Sequence, residues 1–165
     1  MAITAQSAWW FLPFVLPLCF YVAFTDLSRM RITNQAVIAL AAVFVVIGLV
    51  AMPDWPTYGW RLAQLFIVLG LGIVLNAAGV MGAGDAKFAA AAAPFIAPGD
   101  LVTLAWLFAT TLLAAFATHR LAKHTALRNL APDWLSWSQG KRFPMGFALG
   151  ATLALYLMLG AFVGA

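Results

Sequence analysis

Residues 80–87 read Val80-Met81-Gly82-Ala83-Gly84-Asp85-Ala86-Lys87, a carboxylate set between flexible glycines and the start of an apolar segment. The chain runs apolar for long stretches on both sides, which puts this acid at a membrane boundary. A carboxylate beside lipid is costly unless it is paired, hydrogen-bonded or neutral, so Asp85 is a functional candidate. Its expected partner is Asp26, which follows the first apolar run.

With 165 residues, 65% of them hydrophobic and only 8% charged, the chain has room for one domain and too few charges to dress a soluble surface. The expectation is an all-α, polytopic membrane protein whose single embedded domain covers residues 1–165. Nine Lys and Arg outnumber five acids. The basic residues flank apolar runs, as topology signals do, and do not form a nucleic-acid surface. Cys19 is the single cysteine and lies inside an apolar run, so it reads as packing.

Six transmembrane helices are expected. The first covers residues 9–24; Arg29 and Arg31 follow it, whereas a cleaved secretory signal carries its charge ahead of the apolar run. The second covers 36–52 and closes at Pro53-Asp54-Trp55-Pro56, an interfacial turn. The third opens at Trp60-Arg61 and runs to about residue 79; its Asn76 reads as hydrogen-bonding glue between helices. Residues 86–98 form the fourth, at 1.5 Å per residue roughly 20 Å long and short of a ~30 Å hydrocarbon core. The fifth covers 101–118 with Asp100 as its N-cap, and the sixth covers 144–163. In the sixth, Gly146, Gly150 and Ala154 place small residues on one face.

Charge counting decides the orientation. With six spans and the N-terminus outside, Arg29, Arg31, Lys87, Arg120, Lys123, Arg128, Lys141 and Arg142 are cytoplasmic and Arg61 alone is outside. If residues 86–98 do not cross, the asymmetry weakens. The connection 119–143 carries Leu127, Leu130, Trp134, Leu135 and Trp137 among basic residues. It reads as a short interfacial helix broken near Pro132, with His119 and His124 solvated and no metal site.

This topology sorts the carboxylates. Asp54 and Asp100 fall in outer connections and Asp133 in the basic loop, where turn, cap and charge-balancing roles are sufficient. Asp26 and Asp85 remain, both at the cytoplasmic boundary. Two close carboxylates in a low-dielectric site hold one proton between them. The charged member then takes a proton from water attacking a peptide carbonyl, and the neutral member donates to the carbonyl oxygen. Ser28 and Cys19 have no evident base. Gly82 and Gly84 permit unusual dihedrals and close approach of a substrate backbone, although Gly-Ala-Gly-Asp before a helix is also what a loop with an Asp N-cap looks like.

These residues resemble the type IV prepilin peptidases, membrane aspartic proteases with a Gly-x-Gly-Asp motif. The resemblance rests on Gly82-Ala83-Gly84-Asp85-Ala86-Lys87, on Asp26 followed by Ile32-Thr33-Asn34, and on Pro144-Met145-Gly146 before the last helix. Thr33 and Met145 depart from the family's usual proline and aromatic residue. The resemblance implies catalytic Asp26 and Asp85, supported by Gly82, Gly84, Lys87 and Asn34, with Pro144 and Gly146 shaping a loop or meeting substrate. Lys87 has three readings, orienting an acid, meeting substrate or binding lipid phosphate; Asn34 either bonds within the site or caps the second helix.

No cofactor is implied. The partners implied are membrane lipid and prepilin or pseudopilin substrates, cut between a short cytoplasmic leader and an apolar helix at the bacterial inner membrane. The larger bifunctional members add a cysteine-bearing methyltransferase region; this compact chain resembles the short peptidases of Flp/Tad-type pilus systems. Two rivals stand beside it. A proton-coupled transporter also uses paired intramembrane acids, and a non-catalytic assembly scaffold uses small-residue helix faces.

Overall fold

The computed structural model describes residues 1–139 and 143–165 and is all-helical there. Lys141 and Arg142, counted above among the cytoplasmic charges, lie outside the described residues. Six α-helices follow in order: α1 (Ala5–Arg29), α2 (Asn34–Ala51), α3 (Trp55–Ala77), α4 (Ala83–Ala92), α5 (Leu101–Lys123) and α6 (Met145–Val163). All but α4 are long and apolar enough to cross a membrane, and the chain is a polytopic helical membrane protein.

Local chemistry sets the helix ends. Thr4 and Thr33 accept hydrogen bonds from the N–H groups of Ser7 and Ala36, and Asp54 caps α3 through the Thr57 N–H at 2.7 Å. Pro56, in the first turn of α3, gives up no intrahelical bond there, so α3 begins five residues before the expected Trp60. At the end of α1, Met30 takes a left-handed conformation (φ 51°) and its N–H returns to the Asp26 carbonyl at 2.8 Å. Asp26 therefore sits inside the last turn of α1.

The fourth segment departs most from expectation. Helix α4 starts at Ala83, so Gly84 and Asp85 belong to its first turn, and it stops after ten residues. Pro94 then tightens the chain into a 3-10 turn, Ala93–Phe95, and a second such turn covers Pro98–Asp100. The segment still links the two ends of the bundle. It begins with Gly84 against Ile32, just beyond α1, and ends with Asp100 accepting bonds from the N–H groups of Ala2 and Ile3, just before α1. Phe95 is driven into the core, where its ring meets Phe11 at 4.8 Å and Phe44 at 5.3 Å edge-on.

Helix α1 lies between α2 and α6, α5 covers α6, and α4 rests on α3 with α2 and α6 nearby. The small face of α6 does what its spacing predicts. A Cβ at Gly150 would stand 2.9 Å from the Cys19 carbonyl oxygen, so the two helices approach closely only because that position is glycine. Cys19 is buried in this contact. Thr111 and Thr152 share a hydroxyl hydrogen bond of 2.6 Å between α5 and α6.

Four polar residues behave differently from their sequence reading. Asp100 makes no side-chain capping bond to α5; besides Ala2 and Ile3, its carboxylate accepts from the Tyr156 hydroxyl at 2.9 Å and so pins the chain's beginning to α6. Arg61 is buried, its guanidinium reaching the Pro94 carbonyl at 3.5 Å. Asn76 donates to the Met81 carbonyl at 2.8 Å, closing the turn between α3 and α4 instead of joining helices across the bundle. His119 belongs to α5 and is buried, stacked on Trp137 at 5.0 Å, while His124 is exposed as expected. The expected interfacial helix is two 3-10 turns, Ala126–Leu130 and Leu135–Trp137, on either side of Pro132. Trp134 and Trp137 turn inward there because Phe24 and His119 offer them ring contacts.

Candidate active site

Asp26 is 6% exposed, and it needs a donor to be buried at all. The donor is the backbone of α6: Gly146 N–H reaches Asp26 Oδ2 at 2.6 Å. The first turn of α6 has unsatisfied N–H groups, and Pro144 provides no side-chain cap. A carboxylate from α1 fills that vacancy at the positive end of the α6 dipole. Gly146 is obligatory for this contact. A Cβ there would lie 2.9 Å from Asp26 Oδ2, 2.9 Å from Ile32 Cγ1 and 3.0 Å from Asp26 Cβ.

Asp85 is the third residue of α4, half-buried, and its carboxylate makes no capping bond. The N-cap position belongs to Gly82, whose backbone (φ −65°, ψ 143°) any residue could adopt. Unusual dihedrals are thus not the reason for glycine at this position; close approach is, since a Cβ on Gly82 would come within 2.8 Å of Asp85 Oδ2. At the half-buried Gly84 a Cβ would meet Ile32 Cβ at 3.4 Å, an ordinary contact. Among the described residues, the glycine with a positive φ is Gly79 (φ 73°), in the turn before the motif.

The two acids line one cleft of about 550 Å³, together with Met30, Arg31, Ile32, Asn34, Gly82, Gly84, Lys87, Phe143 and Met145. Lys87 Nζ donates to Asn34 Oδ1 at 3.2 Å on the exposed rim of the cleft. Thr33, not Asn34, caps α2, and the Asn34 side chain accepts from Lys87. The threonine that departs from the family's proline thus has its own structural role.

The cleft brings together Asp26, Asp85, Gly82, Gly84, Lys87 and Asn34; Gly146 joins it through its N–H to Asp26, and Pro144 is buried just ahead of α6 without lining it. Met30, Arg31, Ile32, Phe143 and Met145 also line the cleft and were given no site role, and the part played by the Gly146 N–H was missed. The backbone N–H of Gly146 carries no side-chain signature, Ile32 is the apolar wedge between Gly84 and Gly146, and Phe143 forms part of the wall. Ile32 had a signal, an aliphatic residue directly ahead of a helix cap.

The polar side chains of the cleft are two carboxylates, one ammonium, one guanidinium and one amide, and among the described residues no three His, Cys or Asp side chains gather as metal ligands. Two carboxyl groups in a shared cleft are suited to moving protons to and from a reacting amide. No match was found among the curated proteins or among the solved structures. A match to the type IV leader peptidase family covers residues 13–119, which takes in Asp26, Asn34 and the whole Gly82 to Lys87 motif. With well over half its length matched, and with the motif acids gathered in one cleft at the end of the helical bundle, the chain belongs to the type IV leader peptidase family.

Proposed function

We propose that this protein is an aspartic endopeptidase that removes the short leader from Flp-type prepilins at the cytoplasmic face of a bacterial inner membrane. The observation that carries the proposal is the meeting of Asp26 and Asp85 in one open cleft, one acid anchored by a helix N-terminus and the other free of capping duty. The whole chain acts as a single membrane-embedded peptidase domain, with its N-terminus outside.

In the proposed reaction the pair holds one proton. The ionised carboxylate accepts a proton from a water molecule as its oxygen attacks the scissile carbonyl carbon. The protonated partner donates to the carbonyl oxygen, giving a neutral tetrahedral diol. The diol then collapses: one carboxyl group protonates the departing amine nitrogen, the C–N bond breaks, and the other takes back a hydroxyl proton. The exposed backbone of Gly82 leaves room for the extended peptide, with the half-buried Gly84 lining the same cleft. Lys87, held by Asn34, lies on the cleft rim and acts on substrate or on rim geometry, not on the scissile bond.

The deciding test is co-expression with a Flp-type prepilin, read by gel shift and N-terminal sequencing of the product. The parent should trim the leader. Asp26→Asn and Asp85→Asn, present at equal level in the membrane, should each reduce trimming by at least about 10³-fold, the usual scale for loss of an essential acid or base. Continued trimming by both variants would return Asp85 to a helix-start residue and Asp26 to a cap for α6.

A further inference from the structure

A second cavity, about 600 Å³, is an apolar groove between α3 and α5 with α4 and α6 as its floor. Its relation to the acid cleft is geometric. On α4, Asp85, Ala89 and Ala92 stand at i, i+4 and i+7 and so share one helix face, and Ala93 opens the 3-10 turn that follows. The three alanines line the groove and the aspartate lines the cleft. Met81, at the near end of the groove, is followed directly by Gly82 of the cleft. A polypeptide lying along that face of α4 leads straight to Asp85.

The groove lining also bears on the occupant. Along α4 the floor offers the small side chains Ala89 and Ala92, over which another helix approaches closely, while Phe88, Leu149 and Leu153 supply apolar bulk beside them. Apart from the indole of Trp60, the polar side chains lining the groove among the described residues are Gln64 and Thr152. The Thr152 hydroxyl is already engaged with Thr111 and the Ala148 carbonyl. Gln64 Oε1 is buried and, among the described residues, without a hydrogen-bond partner. An acyl chain has nothing to offer that oxygen, whereas a helix carrying a hydroxyl or amide at the same depth does.

We propose that this groove seats the apolar helix that follows the cleaved bond of the substrate, parallel to α4, with a polar side chain of that helix donating to Gln64. The proposal rests on the leader-peptidase reading of the acid cleft. It explains why α4 is short and alanine-rich: the helix that presents Asp85 is also the floor on which the substrate helix lies.

The test is photo-crosslinking in the Asp85→Asn background, which retains uncut substrate, with a Flp-type prepilin co-expressed. A benzophenone amino acid is placed at Ile67 or Leu104 in the groove, and as controls at Ile38 or Val46 on the exposed face of α2. Adducts with the prepilin from the groove positions and not from α2 are expected. Adducts only with lipid, only with a second copy of this chain, or equally from all four positions would overturn the proposal.

A second measurement fills the groove from the solvent-accessible position Ala105. Ala105→Trp should lower trimming by about tenfold at equal membrane level through steric exclusion, and Val46→Trp should leave it unchanged. If the parent trims the prepilin while Ala105→Trp trims equally well, the groove proposal alone falls. If the parent does not trim, the leader-peptidase reading falls, and this proposal with it.

Discussion

Replacing Gly146 by alanine tests whether the α6 backbone holds Asp26 in working position. The added Cβ would stand 2.9 Å from Asp26 Oδ2, 2.9 Å from Ile32 Cγ1 and 3.0 Å from Asp26 Cβ. Carbon contacts are relaxed at about 3.5–4.0 Å, so the start of α6 and the Asp26 side chain must separate by roughly 0.5–1 Å. That displacement stretches the 2.6 Å bond from Gly146 N–H to Asp26 Oδ2. Overpacking costs about 1–3 kcal/mol, and the helix-propensity gain of alanine over glycine offsets up to about 1 kcal/mol of it. The larger consequence is catalytic, because moving a reacting group by about 1 Å lowers a rate by on the order of 10²-fold. Trimming by Gly146→Ala should therefore fall about a hundredfold while its unfolding midpoint in micelles moves only modestly.

Gly150→Ala is the matched control, since its Cβ would meet the Cys19 carbonyl at a similar 2.9 Å on the same pair of helices but away from both acids. It should lose comparable stability and keep its trimming rate per folded molecule. The reasoning is refuted if Gly146→Ala trims within about threefold of the parent at equal level, or if Gly150→Ala loses as much activity per folded molecule.

Three further outcomes follow from contacts away from the acids. Asp100→Ala leaves the N–H groups of Ala2 and Ile3 and the Tyr156 hydroxyl without their shared acceptor; it should cost about 3–5 kcal/mol in reversible unfolding, with trimming per folded molecule retained. Thr33→Ala removes the α2 cap and should cost about 0.5–2 kcal/mol. Thr33→Pro fits the local φ of −78° and should recover about 0.4–1 kcal/mol of that loss through a stiffer unfolded chain, measured in the same unfolding series. A double-mutant cycle on Lys87→Ala and Asn34→Ala should give a coupling of about 0.5–1.5 kcal/mol for their 3.2 Å bond, and no coupling would remove the rim contact from the description of the site.

What the sequence revealed, and what it hid, divides along the range of the interaction. Long apolar runs announced five helices correctly to within a turn or so, because length and hydropathy are local properties. The position of the core was harder. These helices are apolar on every side, so hydrophobic periodicity does not separate a lipid-facing surface from a packed one. Small residues do, and the Gly146, Gly150 and Ala154 face of α6 was readable for that reason. The start of α4 was misread because Gly-Ala-Gly-Asp looks like a loop; the glycine that ends the turn is its cap, and an acid in the first turn suits the helix dipole.

The remaining errors share one cause. Asp100, Arg61, Asn76 and His119 were each assigned from their neighbours in the chain, yet a buried polar group is satisfied by whatever donor, acceptor or ring lies beside it in space. Asp100 finds the chain's first residues and Tyr156; His119 finds Trp137. That Asp26 and Asp85 line one cleft was expected on evidence of another kind. Their reading required only that two carboxylates lie at the same depth at one end of the bundle, which span counting supplies. The partner that fixes Asp26 in place, a backbone N–H at the start of the last helix, becomes visible only when α1 and α6 are packed together.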